Sequence, residues 1–281
     1  HTLFRNMDQL TRSTDPTKSR WEWTVKASHL EIYNETIRDL LVDPHVREQQ
    51  ARGGQNRPLS DEEKRKLIKR HEIKHMKDGT TTVTNLTTES VCTPLDVEAL
   101  LHRAKSNRTV ASTKCNDFSS RSHSVFTLEV GGRDMITGER RKGSLTMIDL
   151  AGSERVSKSE VKDDELKEAI SINKSLSSLG DVIAALSEGG SNCQRPSKGG
   201  RGNNNAKQAP PSKTHHIPFR NSKLTYLLQN TLGGKDGRGK EGGAKCLMLV
   251  NLSPCVESAQ ESLCSLRFAA KANSCVVRST R

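Results

Sequence analysis

Apolar residues recur along this chain with two different periods, and the two kinds of segment alternate. Alternating or continuous apolar runs predict β-strands at residues 23–33, 124–130, 144–150 and 245–252. Apolar positions at helical spacing predict helices at residues 94–104, 164–186, 221–232 and 259–272. The run at 245–252 is almost continuously apolar, which is typical of a strand at the centre of a sheet. Strands that alternate with helices predict an α/β domain of three layers.

Residues 71–87 have the pattern of a β-hairpin, with Asp78-Gly79 as its turn. Its first strand contains HEIKH (residues 71–75), which matches the H-E-x-x-H pattern of helical zinc sites. On a strand, residues four positions apart lie about 13 Å from each other, which is too far to share one metal ion. Because a turn and a β-branched run follow at once, we interpret the segment as an exposed hairpin strand and expect no metal there.

Two polar stretches interrupt the pattern, and both are rich in Gly, Pro, Asn, Gln, Lys and Arg. We expect residues 44–70 to form a basic insertion loop and residues 188–214 to form a disordered insertion. Neither stretch separates regions that look like independent domains, so residues 1–281 are predicted to belong to one domain. The chain does not begin with Met, and we expect it to start partway through a longer protein.

The formal net charge of +12 favours a polyanionic partner, which is a nucleic acid, an anionic membrane or an acidic protein surface. Charge alone does not choose among them. Aromatic residues make up only 3% of the chain, so few side chains can stack on bases, and we expect no nucleic-acid partner. No apolar run approaches the roughly eighteen residues that a membrane span needs, and we expect no membrane partner.

The seven cysteines bear on the cellular compartment. Their number is odd, no two stand at C-x-x-C spacing, and Cys246 and Cys264 lie in apolar runs. This distribution favours a reducing cytosol with buried thiols over a disulfide framework.

Two short motifs carry candidate chemistry. In IDLAGSE (residues 148–154) an apolar strand ends at Asp149 and the chain then turns at Gly152. An Asp in this place holds Mg²⁺, usually through water, in nucleotide-hydrolysing α/β folds, and a Gly lets a backbone N–H approach a phosphate. In NDFSSRSH (residues 116–123) three serine hydroxyls surround Arg121. Hydroxyls can ligate Mg²⁺ or position water, and Arg can pair with a carboxylate or phosphate. Each motif alone is common.

Together the two motifs resemble switch I and switch II of the kinesins. The resemblance continues in LEIYNETIRDLL (residues 30–41), in INKSLSSLGDVIAAL (172–186), in HIPFRNSKLTYLLQNTLGG (216–234) and in SLCSLRFAAKANS (262–274). The chain is therefore similar to the C-terminal two-thirds of a kinesin motor domain. This resemblance implies a P-loop NTPase-like kinesin motor fold that is incomplete, because its first strands and its P-loop are absent.

The resemblance implies ATP and Mg²⁺ as cofactors and assigns roles to individual residues. Ser120 would contact Mg²⁺ and the γ-phosphate, Asp149 would hold Mg²⁺ through water, and Ser119 would position the lytic water or relay its proton. Arg121 and Glu154 would form a salt bridge that closes the site in the ATP state. The implied catalytic set is Ser119, Ser120, Arg121, Asp149, Gly152 and Glu154, and the implied nucleotide-binding set is Asn116, Ser120, Asp149 and Gly152.

A microtubule is the partner that the resemblance implies, and tubulin's acidic surface suits the basic chain. The implied contacts are Lys158, Lys162, Lys174, Arg220 and Lys223. Dimerisation would use a coiled coil upstream of this chain. The implied location is the cytoplasm and the microtubule cytoskeleton, including the spindle.

The sequence contains no G-x-x-x-x-G-K-[ST] phosphate loop. We therefore expect this chain by itself to be inactive, to bind ATP weakly and to fold poorly, and we expect the strand that ends at Asp149 to lack a neighbour. One explanation is a fragment of an active motor. The alternative is a noncatalytic, kinesin-like module that binds microtubules. The intact set of switch residues favours the fragment.

The last residues after the final helix indicate which class of kinesin the chain resembles. No neck linker of the plus-end type and no heptads follow RFAAKANS (residues 267–274). This ending resembles the minus-end-directed class that has its motor at the C-terminus. The KANS ending and the hairpin at residues 71–87 look most like fungal members of that class.

Overall fold

The computed structural model describes residues 2–11, 21–42, 71–111, 121–152, 163–191, 217–233 and 244–274. The chain divides into two compact units. The first unit contains residues 1–74 and 83–152, and the second contains residues 75–82 and 153–281. Helices and a sheet occur together, as the α/β prediction requires.

An antiparallel sheet of five strands forms the centre of the first unit. Its strands are β1 (Trp21–Tyr33), β2 (Thr36–Asp39), β5 (Glu89–Ser90), β6 (His123–Asp134) and β7 (Arg140–Asp149). The order is β2-β1-β6-β7, and β5 pairs with β1. Among the described strands β7 pairs only with β6, so the predicted unpaired edge is confirmed there. Leu145 and Met147 on this strand are 51% and 47% exposed.

One hydrophobic cluster of the first unit lies on one face of the sheet. Alternate residues of β1 and β6, such as Val25, Ala27, Phe126 and Leu128, are buried there because side chains on a strand point to opposite faces in turn. Helix α1 (Thr2–Thr11) contributes Leu3, Phe4 and Met7 to this cluster, and helix α2 (Pro94–Ala111) contributes Leu100 and Ala104. Helix α2 extends seven residues past the predicted end, and α1 was not predicted.

The predicted hairpin is confirmed as β3 (Ile73–His75) and β4 (Thr81–Val83), which form a two-stranded sheet. Gly79 has a φ of 86°, a left-handed conformation that glycine adopts without strain. The HEIKH segment is thus a strand end, not a helix. His71 Nδ1 bonds to the carbonyl of Thr84, whereas His75 Nδ1 bonds to the hydroxyl of Thr81, so the two imidazoles have separate partners.

Helices form most of the regular structure that is described in the second unit. The longest is α3 (Asp163–Ser191), which packs against α6 (Ala259–Ser274) and α4 (Lys223–Leu227). Leu179, Val182 and Ile183 on α3 are buried. The short helix α5 (Gln229–Gly233) follows α4.

The prediction of one continuous helix at residues 221–232 is wrong. The chain instead forms a 3₁₀ turn at Phe219–Asn221 and then the two short helices α4 and α5. Ser222 is extended, with φ −145° and ψ 159°, and it caps α4 in a capping box with Thr225. An extended cap residue cannot lie inside a helix, so α4 begins only after it.

The predicted central strand at 245–252 is also wrong, because this segment forms no regular structure. Leu247 and Leu249 are 83% and 80% exposed, and no described strand pairs with the segment. A strand needs a neighbour for its backbone hydrogen bonds, and without one the apolar run stays irregular. The expectation of buried thiols fails with it, since Cys246 and Cys264 are exposed.

The predicted insertions lie almost entirely outside the described residues. The exception is residues 188–191, which continue α3 instead of starting the second insertion. Within the described part of the chain, no helix has both the length and the apolar character needed to span a bilayer.

Two glycines in the β6–β7 hairpin provide a test of packing. A Cβ at Gly132 would lie 2.5 Å from the Trp23 ring, and that ring is stacked on Trp21 with centroids 5.4 Å apart. A Cβ at Gly143 would meet no atom within 4 Å. We expect Gly132→Ala to lower the free energy of unfolding by about 1–3 kcal/mol through overpacking. Gly143→Ala should change it by less than about 1 kcal/mol.

Urea unfolding of the full-length natural protein, followed by tryptophan fluorescence, measures both variants. Equal stability of the two would show that the Trp23 ring moves aside without cost.

Candidate functional site

The register of β6 and β7 brings the two sequence motifs together. Strand β6 begins at His123, directly after Arg121 and Ser122, and β7 ends at Asp149. Ser124 pairs with Asp149 and Val125 with Ile148. The end of the first motif and the start of the second therefore lie at the same end of two neighbouring strands.

A buried hydrogen bond links the motifs beyond the last strand pair. His123 Nδ1 accepts a hydrogen bond from the backbone N–H of Ala151 at 3.0 Å. His123 is 3% exposed and Ala151 is 5% exposed. The bond holds the chain that follows Asp149 against the start of β6.

Arg108, near the end of α2, reaches three separate segments at this site. Its Nε lies 3.2 Å from Glu31 Oε1 on β1, and its Nη1 lies 3.8 Å from Asp149 Oδ2. Its Nη2 donates to the carbonyl of Ser122 at 3.1 Å and to the Ser122 hydroxyl at 2.8 Å. One guanidinium thus contacts β1, the start of β6 and the end of β7, as its fan of fixed donors allows.

Glu31 is the buried anion of this cluster, with a side chain that is 2% exposed. Its Oε1 also accepts a hydrogen bond from the Ser122 hydroxyl at 2.6 Å, and its Oε2 lies 3.7 Å from Arg38 Nη1. A carboxylate that is removed from water needs such donors, because losing one partner of a buried pair costs about 3–5 kcal/mol. Glu31 therefore holds Arg108 and Ser122 in place.

A second histidine lies beside this cluster. His29 Nε2 and the Ser124 hydroxyl are hydrogen-bonded at 2.7 Å, and the His29 ring contacts Phe126 edge to face. Burial is the main cause that lowers the pKa of His29 to about 4, with the Arg108 charge as the next cause. Burial likewise lowers the pKa of His123 to about 4, against an opposing effect of Asp149. Both imidazoles are therefore neutral near pH 7.

Half of the residues that the sequence assigned to the site and the track face lie in the described part of the chain. They are Arg121, Asp149, Gly152, Lys174, Arg220 and Lys223. The others, which are Asn116, Ser119, Ser120, Glu154, Lys158 and Lys162, lie outside the described residues, and their roles stay predictions. Arg121 and Gly152 are half-buried, whereas the Asp149 side chain is 78% exposed.

The chemistry of Asp149 fits a magnesium ion held through water. A carboxylate oxygen is the kind of ligand that Mg²⁺ prefers, and the ion commonly keeps several of its waters. The exposure of this side chain leaves room for such a hydrated ion. Among the described residues, no three His, Cys, Asp or Glu side chains cluster as a direct metal site.

The predicted track-binding cations of the described chain all belong to the second unit. Lys174 is exposed on α3, Arg220 is exposed in the 3₁₀ turn, and Lys223 is the first residue of α4. Helix α3 packs against both of the other elements. The guanidinium of Arg220 lies over the Tyr226 ring, 5.8 Å from its centroid.

The hairpin tip contacts α4 and α5 of the second unit. His75 meets the Tyr226 ring edge to face, with centroids 4.6 Å apart. Asn230 Nδ2 donates a hydrogen bond to the carbonyl of Gly79 at 2.9 Å.

Sequence reasoning missed five residues of the first cluster. They are His29, Glu31, Arg108, Ser122 and His123. Ser122 and His123 stand inside the quoted NDFSSRSH motif, and Glu31 stands inside LEIYNETIRDLL, so these motifs contained the signal. Arg108 had no local signal, because a basic residue near a helix end is ordinary.

Comparison with known proteins matches residues 1–275 to the kinesin motor domain family. The chain is 46% identical over 268 residues to kinesin-related protein 2 of Dictyostelium discoideum. It is 44% identical over 271 residues to kinesin-like protein 2 of the fungus Schizosaccharomyces pombe. These alignments cover 95% and 96% of the chain but only 28% and 27% of the two relatives.

A solved structure shows the same similarity in three dimensions. It contains the C-terminal motor and motor homology domain of Kar3Vik1 fused to a synthetic heterodimeric coiled coil. The match has a TM-score of 0.67 and 37% identity, and it covers 96% of this chain and 55% of that one.

The two buried histidines predict a pH-dependent stability. In the unfolded chain each would take up a proton near pH 6.5, whereas in the folded chain each stays neutral down to about pH 4. The unfolded state thus binds more protons in this window, so stability present above pH 6.5 is lost as the pH falls towards 4. The loss should be at most about 3 kcal/mol for each histidine.

Urea unfolding of the full-length natural protein at pH 7 and at pH 5 measures this effect. The double variant His29→Asn/His123→Asn should show a clearly weaker pH dependence, whereas the exposed control His102→Asn should behave like the parent chain. An unchanged pH dependence in the double variant would contradict the assignment.

Proposed function

Because the chain belongs to the kinesin motor domain family, we propose that it forms the nucleotide-sensing and track-binding part of a microtubule motor. The observation that carries this proposal is the β6–β7 register, in which Ser124 pairs with Asp149, so that the end of the first motif and the start of the second lie at the same end of two neighbouring strands. A motor needs these two motifs next to each other, because both must respond to the same phosphate.

Bound Mg·ATP supplies the transferable phosphoryl group and the charge-neutralising ion. Asn116, Ser120, Asp149 and Gly152 would hold it, with Ser120 on the metal and Asp149 on a metal-bound water. Ser119 would position the attacking water. The exposed Asp149 carboxylate and the half-buried Gly152 backbone are compatible with these roles.

Arg121 and Glu154 would close the site as a salt bridge when the γ-phosphate is present. Such a pair contributes little at an exposed surface, about 0–1 kcal/mol. It contributes more in a closed site from which water is excluded. Its formation would couple the phosphate to the movement of the second motif.

The basic residues of the second unit would bind the microtubule. Lys174, Arg220 and Lys223 supply positive charge on neighbouring elements, and Lys158 and Lys162 would add to it. Attraction between these cations and acidic tubulin would speed association and would weaken with salt.

The class of motor follows from the relatives. We infer a C-terminal-motor kinesin, a dimer through a coiled coil outside this chain, and a location on cytoplasmic or spindle microtubules. The match to the C-terminal motor of Kar3Vik1, which that structure joins to a coiled coil, supports this inference. The 281 residues alone are proposed to lack ATPase activity, because they contain no phosphate loop. No observation favours the noncatalytic alternative.

Charge reversal tests the closing salt bridge. In the full-length natural protein, Arg121→Glu or Glu154→Arg should each lower the microtubule-stimulated ATPase rate by roughly tenfold or more. The double swap should recover part of that loss, and circular dichroism should show that all variants stay folded. A double variant as inactive as either single one would count against a direct pair. Tight ATP binding by the isolated 281 residues would contradict the expectation that they bind ATP weakly, and ATP hydrolysis by them would contradict their proposed inactivity.

Removal of three cations tests the track-binding face. The triple variant Lys174→Ala/Arg220→Ala/Lys223→Ala should raise the Kd for microtubules by roughly five- to thirtyfold, and its Kd should depend less on salt. The control Arg133→Ala/Arg140→Ala/Lys142→Ala removes the same charge from exposed positions of the first unit. Cosedimentation at two salt concentrations compares them. Equal weakening by both triples would mean that net charge alone, and not this face, binds the track.

A further inference from the structure

His123 stands at the junction of the two motifs. It is the last residue of NDFSSRSH and the first residue of β6. Its buried Nδ1 accepts the Ala151 N–H at 3.0 Å. A side chain of the first motif therefore holds the backbone of the second.

This bond acts where the strand pairing has ended. The last β6–β7 pair is Ser124 with Asp149, so the chain after Asp149 is no longer held by the ladder. Two residues later His123 binds it again at Ala151. The His123 side chain thus takes the place of the next hydrogen bond between the two strands.

The position of Ala151 bears directly on Gly152. The Gly152 N–H belongs to the peptide group that joins these two residues. Peptide groups are planar, so only φ and ψ of Ala151 separate the held N–H of Ala151 from the N–H of Gly152. Holding the first amide therefore restricts the direction of the second.

We propose that His123 is a positioning residue whose Nδ1 fixes Ala151 and thereby aims the Gly152 N–H at the γ-phosphate. The inference rests on the proposed function, in which Gly152 contacts that phosphate. It requires an unprotonated Nδ1, with the imidazole proton on Nε2. The alternative is that His123 only fills space beneath the sheet end.

Three substitutions separate these roles. His123→Asn keeps an amide oxygen near the position of Nδ1, so it can still accept the Ala151 N–H. His123→Gln carries its amide further out, near the position of Nε2. His123→Leu has a similar volume and no acceptor. If His123 only filled space, the leucine variant would resemble the parent at least as closely as the asparagine variant.

Hydrogen exchange in the full-length natural protein measures whether the Ala151 amide is protected by this bond, and it does not require an active enzyme. Peptides that contain Ala151 and Gly152 should exchange roughly tenfold faster in His123→Leu than in the parent, because a buried amide loses its acceptor. His123→Asn should exchange like the parent. Equal exchange in all of the variants would overturn the inference.

Steady-state kinetics of ATP hydrolysis measure how each substitution of His123 changes catalysis. His123→Leu and His123→Gln should lower kcat by roughly tenfold to a hundredfold, because misplaced groups lose transition-state contacts. The KM for ATP should change less than kcat, and His123→Asn should recover kcat to within about threefold of the parent. Equal kcat in His123→Leu and His123→Asn would overturn the positioning role.

The two measurements separate this inference from the proposed function. If the full-length parent hydrolyses no ATP, the proposed function fails, and with it the phosphate as the target of Gly152. The exchange comparison still decides in that case whether His123 holds the second motif.

Discussion

The antiparallel register of β6 and β7 is the constraint on which the candidate site depends. Pairing of Ser124 with Asp149 sets the end of one motif beside the start of the other. Because side chains alternate between faces, a slip of one residue would turn every side chain of β7 to the opposite face. The contact of Arg108 with Asp149 and the bond from Ala151 to His123 both require the observed register.

Charge then joins the helix layer to this end of the sheet. Arg108 on α2 lies 17% exposed against Glu31 on β1, which is almost completely buried. In such surroundings a lone carboxylate would be costly, so the ion pair and the Ser122 hydroxyl act together to keep it satisfied. The same burial keeps His29 and His123 neutral and leaves the Nδ1 of His123 able to accept. These buried polar groups therefore help to hold the site in place, together with the residues at its surface.

Two predictions failed for different reasons, and the first failed because a local pattern does not show whether a partner strand is present. The apolar run at 245–252 has the composition of a central strand, yet it forms none because no described strand lies beside it. Its Cys246 is consequently exposed. Within residues 221–232 the helical period was present, but the capping geometry of Ser222 starts α4 at Lys223, two residues later than the predicted start. Periodicity indicates which secondary structure a segment prefers, whereas strand pairing and helix capping determine which structure it forms.

By itself the sequence determined the family, the two motifs and most strands of the first unit, because these depend on residue order and on alternation along β1, β6 and β7. It also identified Arg121, Asp149 and Gly152 as candidates. Only the tertiary structure brought Glu31, Arg108 and His123 to the same sheet end, from positions far apart in the chain. Hydrogen bonds and ion pairs between distant segments leave no periodic trace, since they form only after the strands have aligned and water has been excluded.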